Sequence, residues 1–317
     1  MSRYFLTRVG QSILLLVGIL VMVFFLVRLT GDPARLMMPR EASAEAVEAF
    51  RESMGFNRPL LVQFADYFAG VVTGDFGNSL HFKSPALDLV LERLPATVQL
   101  ATTALLIAMI IGIPLGLVGG FNPGSLIDSV GRALALLGQS IPNFWLGPIL
   151  ILIFAVALGW LPSFGRDEWQ SVILPAFVLG LPTIGQLVRL TRSAVLEIRG
   201  EDFIRTAHSK GLMPRTIYTK HVLRNVAIPL VSVIGVQFGY LLGGSIIIEY
   251  VFSWPGIGQL LQQAIGWRDY PLVMAIAVFT SLAVLVINVL TDIAYAIIDP
   301  RTVSYTHLTL PTIRRGC

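Results

Sequence analysis

The amino-acid sequence predicts an all-α membrane protein with six transmembrane helices and a small helical cap on the outer side of the membrane, after the first helix. Of its 317 residues, 55% are hydrophobic and only 13% are charged, and the mean hydropathy is +0.74. Soluble domains carry about 25% charged residues. A soluble core could not enclose this much apolar surface, so the surrounding solvent must be lipid.

Six apolar runs have the length of about 20 residues that the hydrocarbon core of a bilayer requires. The first run follows Arg3 and Arg8, and no small-residue cleavage site follows it closely, so we expect a retained helix and not a cleaved signal peptide. The third run contains Pro142, which predicts an interruption there. The predicted spans are residues 9–27, 96–118, 131–158, 172–190, 226–248 and 272–298.

The distribution of basic residues predicts the orientation, because Lys and Arg concentrate in short cytoplasmic loops. Residues 189–224 contain eight of them, whereas the loop after the third span offers only Arg166 and the loop after the fifth only Arg268. The basic loop is therefore placed in the cytoplasm. With six spans, both termini are expected there too.

The longest segment between spans is predicted to form the outer cap. It contains an Ala- and Glu-rich helix at 41–54, with Val47 and Phe50 on one face, and a second short helix at 60–68. The last residues have no periodicity and no apolar face, and we expect them to be a non-native tail. The predicted units are the first helix (1–29), the cap (30–95), a five-helix core (96–301) with a cytoplasmic loop (191–225), and the tail (302–317).

The sequence offers no group for catalysis or nucleotide binding. A phosphate-binding loop needs a Gly-Lys pair, and none of Lys83, Lys210 and Lys220 follows a glycine. The motifs of zinc proteases and serine hydrolases are absent, and the single Cys317 excludes a multi-cysteine metal site. We therefore predict no catalytic residue, no metal and no cofactor bound by this chain. The basic charge lies beside apolar spans, which indicates membrane topology and not nucleic-acid binding.

Polar residues within or beside the spans are candidates for a substrate pathway. Acids inside a membrane are costly and often functional. A buried hydrogen bond to a neighbouring helix is the expected role of Asn288 and Asp292, and Glu249 is expected at the membrane interface, with substrate contact as the alternative for each. The candidates are Glu249, Asn288 and Asp292.

Glycines at four-residue spacing predict faces on which membrane helices approach closely. Plain packing, and not conduction, is the expected role. These glycines are Gly112 and Gly116 in the second span and Gly235, Gly239 and Gly243 in the fifth.

The cytoplasmic segment after Gly200 predicts a short amphipathic helix. Glu201 and Asp202 stand where the helix dipole favours acids, and Gly211 provides a stop. Such a helix docks its apolar face into a groove of a soluble partner or rests on anionic lipid, and its residue pattern leaves both open. The apolar face comprises Phe203, Ile204 and Ala207.

This segment, together with several ordered runs elsewhere, resembles the EAA-type loop and flanking motifs of permease subunits of ATP-binding-cassette (ABC) importers. The dipeptide and oligopeptide permease family is the most similar. The resemblance covers residues 3–301, although Arg205-Thr206-Ala207 stands where the Glu-Ala-Ala motif is expected. The matching runs lie at 74–80, 92–97, 140–147, 205–207, 210–211, 223–225, 228–229, 251–258, 268–271 and 299–301.

The resemblance implies a non-catalytic transport subunit for dipeptides or oligopeptides in a bacterial or archaeal cytoplasmic (inner) membrane. Its partners would be a second, unlike permease subunit, two ATPase subunits that use ATP and Mg, and a periplasmic substrate-binding protein. Nickel chelates or glutathione are alternative substrates within the same family. The cytoplasmic helix would be the coupling helix that contacts an ATPase, with the residues Glu201, Asp202, Phe203, Ile204, Arg205, Thr206, Ala207, Lys210 and Gly211.

Two other function classes fit the sequence less well. A secondary transporter working alone would need a coupling-ion site near mid-membrane, and Asp292 is the one acid that could supply it. A membrane enzyme would need a nucleophile with its base, or a metal set, inside the spans, and none is evident.

Overall fold

The computed structural model describes residues 2–29, 31–39, 41–213 and 216–298. Within these ranges the chain is helical, and its β-structure is confined to one isolated bridge between Asn78 and Pro85. The predicted tail at 302–317 lies outside the described residues. The helices are α1 (Ser2–Leu29), α2 (Pro33–Met37), α3 (Ala44–Ser53), α4 (Leu60–Thr73), α5 (Ala86–Phe121), α6 (Leu126–Ser140), α7 (Asn143–Leu150), α8 (Ile173–Arg199), α9 (Asp202–Ser209), α10 (Leu223–Val251), α11 (Ile257–Gly266) and α12 (Tyr270–Ile298). Two π-helical segments, Ile151–Ala157 and Ile217–Val222, and a 3₁₀ turn, Trp169–Val172, complete them.

Four of the described helical stretches are long and apolar enough to cross a membrane, and a fifth candidate is broken. In the broken span, α6 and the stretch Asn143–Ala157 meet at an angle of 109°, at the interruption predicted near Pro142. The described apolar stretch of α1, Gly10–Leu26, is shorter. An all-helical membrane protein is therefore confirmed, whereas the sixth span and the position of the cap stay predictions. The four stretches are Ala86–Phe121, Trp169–Arg199, Lys220–Val251 and Tyr270–Thr291.

Several helices extend beyond the predicted spans. The second predicted span is part of α5, which begins at Ala86 and not at residue 96. Pro85 precedes the first turn, Asp88 lies in that turn, and Pro95 is accommodated inside the helix. The fourth predicted span is part of α8, which ends at Arg199 and not at residue 190. A count of apolar residues locates the hydrocarbon-crossing part of a helix and misses the polar turns that project from it. The start of α6 before residue 131 was missed for the same reason, although Ser125 caps it.

The centre of the bundle is the contact between α5 and α8, which is made close by glycine. A Cβ placed on Gly112 would lie 2.9 Å from the Cβ of Leu187, and one on Gly116 would lie 2.6 Å from the Cβ of Thr191. Gly180 of α8 faces the backbone of α5 in the same way. Buried alanines of α5 line the rest of the contact. The two helices therefore pack backbone to backbone, as small-residue faces allow.

The predicted glycine face of α10 is used only in part. A side chain on Gly235 would overlap Thr291 of α12, and a Cβ on Gly239 would lie 3.8 Å from Asn288. A Cβ added to Gly243 would have no atom of the described residues within 4 Å. Gly243 therefore makes no close helix contact within the described part of this chain.

The segment after α1 contains three short helices. Ser43 caps α3, and Gly55, at φ +70°, follows its end. α4 continues to Thr73 instead of ending at residue 68, and stops at the left-handed Gly74. Its aromatic residues Phe64 and Tyr67 pack on Phe24 of α1.

An ion pair ties α2 and α3 together. Arg51 donates to Asp32 at 2.5 Å and also pairs with Glu48. The hydrogen bond from Arg51 to Asp32, with the charges of both acids, raises the pKa of Arg51 above its ordinary value.

Candidate functional site

Helix α9, in the segment predicted to be cytoplasmic, is fixed to the membrane helices by two of its apolar residues. Ile204 and Ala207 are each 5% exposed and lie in one buried cluster with Val195 of α8 and with Ile217. Phe203 is 41% exposed and points away from that cluster. The predicted common face of Phe203, Ile204 and Ala207 is therefore wrong. Helical spacing shows which residues can share a side, but neighbours such as Phe203 and Ile204 are about 100° apart on an α-helix.

The outward side of this segment is apolar with a basic border. Leu212 is 37% exposed and Met213 is 75% exposed, compared with 41% for Phe203. Arg205 and Lys210 are also exposed. We call residues 203–213, in their exposed part, the coupling surface. Leu212 and Met213 were missed because they follow the stop at Gly211, where φ is +72°.

Two arginines of α8 hold the neighbouring helix ends. Arg192 donates to both carboxylate oxygens of Asp128 at 2.6 and 3.2 Å, and Asp128 also accepts from the backbone N–H of Gly124 at 2.9 Å. Arg199 donates to the carbonyls of Gly120 and Phe121, at 3.0 and 2.9 Å, where α5 ends. These basic residues, which predicted topology, also join α5, α6 and α8 into one unit.

The π-helical segment after α9 contacts the same unit. The ring of Tyr218 stacks on that of Phe121, with centroids 3.9 Å apart and planes inclined by 29°. Ile217 beside it is fully buried. Short π-helical turns occur frequently at functional sites.

Glu249 is an internal hydrogen-bond acceptor. Its side chain is fully buried. Its placement at the membrane interface and its role in a substrate pathway stay predictions. One carboxylate oxygen accepts from the hydroxyls of Thr97 and Ser245 at 2.8 and 2.9 Å. The other accepts from the backbone N–H groups of Gly258 and Gln259 at 2.6 and 3.1 Å. Glu249 thereby satisfies free donors in the first turn of α11.

Motifs that are distant in sequence meet around Glu249 and above it. The indole N–H of Trp254 donates to the carbonyl of Ala96 at 2.8 Å, which joins the runs at 92–97 and 251–258. Likewise, Ser79 donates to the buried Asp269 at 2.5 Å, which joins the runs at 74–80 and 268–271. These two hydrogen bonds hold segments near helix ends together.

The other two pathway candidates lie elsewhere. Asn288 is exposed on α12 and faces Gly239. Gly239 is ten residues from Glu249 on α10, which corresponds to about 15 Å along the helix axis. The side chain of Asp292 lies outside the described residues. The three candidates therefore do not form a described cluster.

A cavity of about 570 Å³ lies between α5, α10, α11 and α12. Thr97 and Gly258 border it near Glu249, and its lining is otherwise mostly apolar, with Thr280 and Ser281 on α12. Among the residues that the structure describes, no group of His, Cys, Asp and Glu is arranged to hold a metal ion. The cavity alone indicates no chemistry.

Comparison with known proteins identifies the family. Residues 112–304 match the family described as binding-protein-dependent transport system inner membrane component, and residues 1–101 match the N-terminal region of such membrane components. The glutathione transport system permease protein GsiC of Salmonella choleraesuis (strain SC-B67) is 41% identical over 301 residues, which are 95% of this chain and 98% of the relative. GsiC of Escherichia coli (strain K12) is 40% identical over the same shares.

Solved structures share the fold. A chain of the methionine ABC transporter MetNI in an inward-facing conformation superposes with a TM-score of 0.55 at 22% identity, and covers 67% of this chain and 96% of that chain. A chain of an amino acid ABC transporter with histidines gives 0.52 at 15% identity, with 66% and 93% covered. The chain therefore belongs to the binding-protein-dependent transport system inner membrane components and is a permease subunit of an ABC importer.

Proposed function

We propose that this chain is the permease subunit through which an ATP-driven importer moves small peptides across the inner membrane. The exposed coupling surface carries the proposal. It combines exposed Phe203 and Met213 with exposed Arg205 and Lys210 on a segment that Ile204 and Ala207 anchor to α8. Apolar anchors with a charged border are suited to a groove on a soluble protein.

The partner at this surface is an ATPase subunit that binds ATP and Mg. When the two ATPase subunits close, α9 is displaced with the cleft that holds it. Because Ile204 and Ala207 pack into the cluster around Val195, the displacement reaches α8 as a rigid-body movement. The chain thus transmits work and binds no nucleotide itself.

The remaining partners follow from the family. A second, unlike permease subunit completes the pathway, and a periplasmic binding protein delivers substrate from the outer side, where α2 to α4 form the cap. Both termini lie in the cytoplasm, and six spans cross the membrane. The basic residues between Arg189 and Arg224 support this orientation.

Peptides are the proposed substrate class, and glutathione is the specific candidate that the GsiC relatives favour. Glutathione is a tripeptide, so a glutathione permease and a dipeptide or oligopeptide permease handle related chemistry. Nickel chelates remain the alternative within the family, and no described residue favours them.

The test uses the complete transporter, purified through a tag on this chain and reconstituted in liposomes with its binding protein. Uptake of labelled glutathione and of labelled dialanine is measured with and without ATP. Phe203→Asp and Met213→Asp should abolish ATPase co-purification and uptake, while the chain still inserts. Phe164→Asp is the matched control, because Phe164 is 58% exposed and lies in the loop predicted to face outward.

Each outcome has a distinct meaning. Uptake driven by an ion gradient without ATP would establish a stand-alone secondary transporter. Uptake and ATPase binding that survive both substitutions would show that this segment rests on lipid. Uptake of dialanine without glutathione would assign the wider peptide class and exclude the GsiC-like substrate.

A further inference from the structure

The cytoplasmic ends of three membrane helices form one block. Arg199 of α8 holds the last carbonyls of α5, and Arg192 of α8 holds Asp128 of α6. A Cβ on Gly120 would lie 2.6 Å from the Cβ of Val195, so α5 and α8 approach here with no room for a further side chain. Such a unit moves as a whole, because close packing and charged hydrogen bonds leave no room for sliding.

Helix α10 enters the membrane directly after the π-helical segment Ile217–Val222. Its cytoplasmic start is therefore placed by what that segment touches. Ile217 and Val222 are buried in the cluster that also holds Ile204 and Ala207 of α9. In addition, Tyr218 stacks on Phe121, the last residue of α5.

We infer that Tyr218 is a positioning residue that joins the start of α10 to the block formed by α5, α6 and α8. Through this contact, a movement of α9 reaches both α10 and the block. This inference rests on the proposed function, since it assumes that an ATPase displaces α9. The stacked rings, 3.9 Å apart, hold the segment that precedes α10 against the end of α5. Offset-stacked aromatic pairs favour a defined geometry beyond their buried area.

The location of the stack explains why a single pair can have this effect. The anchors Ile204 and Ala207 connect α9 to the cluster around Val195 of α8. Tyr218 adds a contact to α5, at the point where Arg199 already holds the helix end. A displacement of α9 therefore reaches the block through two contacts, at Val195 of α8 and at Phe121 of α5, and the start of α10 moves together with the block. Without the ring, the start of α10 loses its aromatic contact with the end of α5, while α8 still follows α9.

The experiment measures coupling in the complete transporter. A single cysteine is introduced as Leu223→Cys, with Cys317→Ser, because Leu223 is 40% exposed at the start of α10 and lies outside the apolar run predicted at 226–248. The rate of labelling by a membrane-impermeant maleimide is compared with and without ATP and vanadate, and ATP hydrolysis is measured in parallel. The variants are Tyr218→Ala, Tyr218→Phe, Tyr218→Leu, Phe121→Leu and the double change Phe121→Leu/Tyr218→Leu.

We expect the parent chain to change its labelling rate on nucleotide trapping. Tyr218→Leu and Phe121→Leu should reduce that change about two- to tenfold while ATP hydrolysis and complex assembly persist. Tyr218→Phe should behave as the parent, since it keeps the ring, and the double variant should be no worse than either single one.

Other results overturn the inference. An unchanged nucleotide response in both leucine variants would show that the stack transmits nothing. A loss in Tyr218→Phe equal to that in Tyr218→Leu would assign the effect to the hydroxyl. If Tyr218→Ala fails to assemble, the leucine variants, which keep apolar volume, give the answer. A parent chain without any nucleotide response would instead contradict the proposed function itself.

Discussion

Thr97 on α5 donates its hydroxyl proton to Glu249 on α10 over 2.8 Å, and the same oxygen accepts the backbone N–H of Ile257 over 2.8 Å. One hydroxyl therefore connects two membrane helices with the start of α11. The carboxylate of Glu249 adds two further N–H groups of α11 to the connection. This arrangement fixes α11 on the bundle end, beside the 570 Å³ cavity.

Removing the carboxylate should destabilise the protein. Glu249→Ala leaves the hydroxyl of Thr97 and two backbone N–H groups without their acceptor in a buried place, at a cost of about 1–3 kcal/mol for each donor that stays unpaired. The hydroxyl of Ser245 keeps the carbonyl of Leu242 as an acceptor. Glu249→Gln keeps one acceptor oxygen and should lose less. The measurement is the thermal midpoint in detergent, and Gln262→Ala on the exposed side of α11 is the control. Equal thermal midpoints for all three variants would show that Glu249 does not stabilise the attachment of α11 to the bundle.

Asp128 and Arg192 should stabilise the protein jointly, through the ion pair that they form. Asp128→Ala leaves Arg192 without its partner, and we expect a loss of stability smaller than that for a fully buried pair, because Arg192 is partly exposed. Arg192→Lys should also lose stability, since lysine cannot reproduce the two-pronged contact. A double-mutant cycle in detergent unfolding checks this, and additive single effects would show that the two residues act separately.

Glycine positions should differ sharply in their tolerance of a methyl group. Gly116→Ala places a Cβ 2.6 Å from that of Thr191 and should cost about 1–3 kcal/mol by overpacking. Gly243→Ala meets open space and should be neutral or slightly stabilising, because alanine favours a helix. Folded yield and thermal midpoint of the two variants are compared. Comparable losses would show that Gly243 is covered in the assembled transporter.

Two neighbours on α9 should fail in different ways. Ile204→Asp buries a charge in the cluster around Val195 and should reduce the amount of folded protein in the membrane. Phe203→Asp should leave that amount unchanged and remove only the contact with the ATPase. Quantifying membrane-inserted protein beside ATPase co-purification separates the two. Normal insertion of Ile204→Asp would place that residue outside the folded core.

Deleting residues 303–317 should leave uptake unchanged. The family match ends at residue 304, and the segment has no apolar face in the sequence. Uptake by the shortened chain is the measurement, with expression level as its control. Reduced uptake at equal expression would show that the segment is needed.

The sequence predicted the features that depend on local composition. The four long spans and the broken fifth candidate follow from apolar length, the break follows from Pro142, and the close contact at Gly112 and Gly116 follows from small residues at regular spacing. The hydrogen-bond partners of Glu249 could not be predicted, because Thr97 is 152 residues away. Burial that depends on distant contacts is not encoded in any short window.

The same limit explains the error on α9. Helical spacing put Phe203 and Ile204 in one face, yet the direction in which that face points depends on α8. Arg192 and Arg199 show the converse. Their charge indicated a basic loop, but their contacts with Asp128 and the end of α5 arise only when the helices are assembled.

The division of α9 into inward and outward residues has an evolutionary consequence. Ile204 and Ala207 are buried against their own chain, whereas Phe203, Leu212 and Met213 are exposed. If the exposed residues bind the proposed ATPase, substitutions there change recognition of the partner at little cost to folding. A cell that keeps several related importers could in this way insulate each permease from the ATPases of the others.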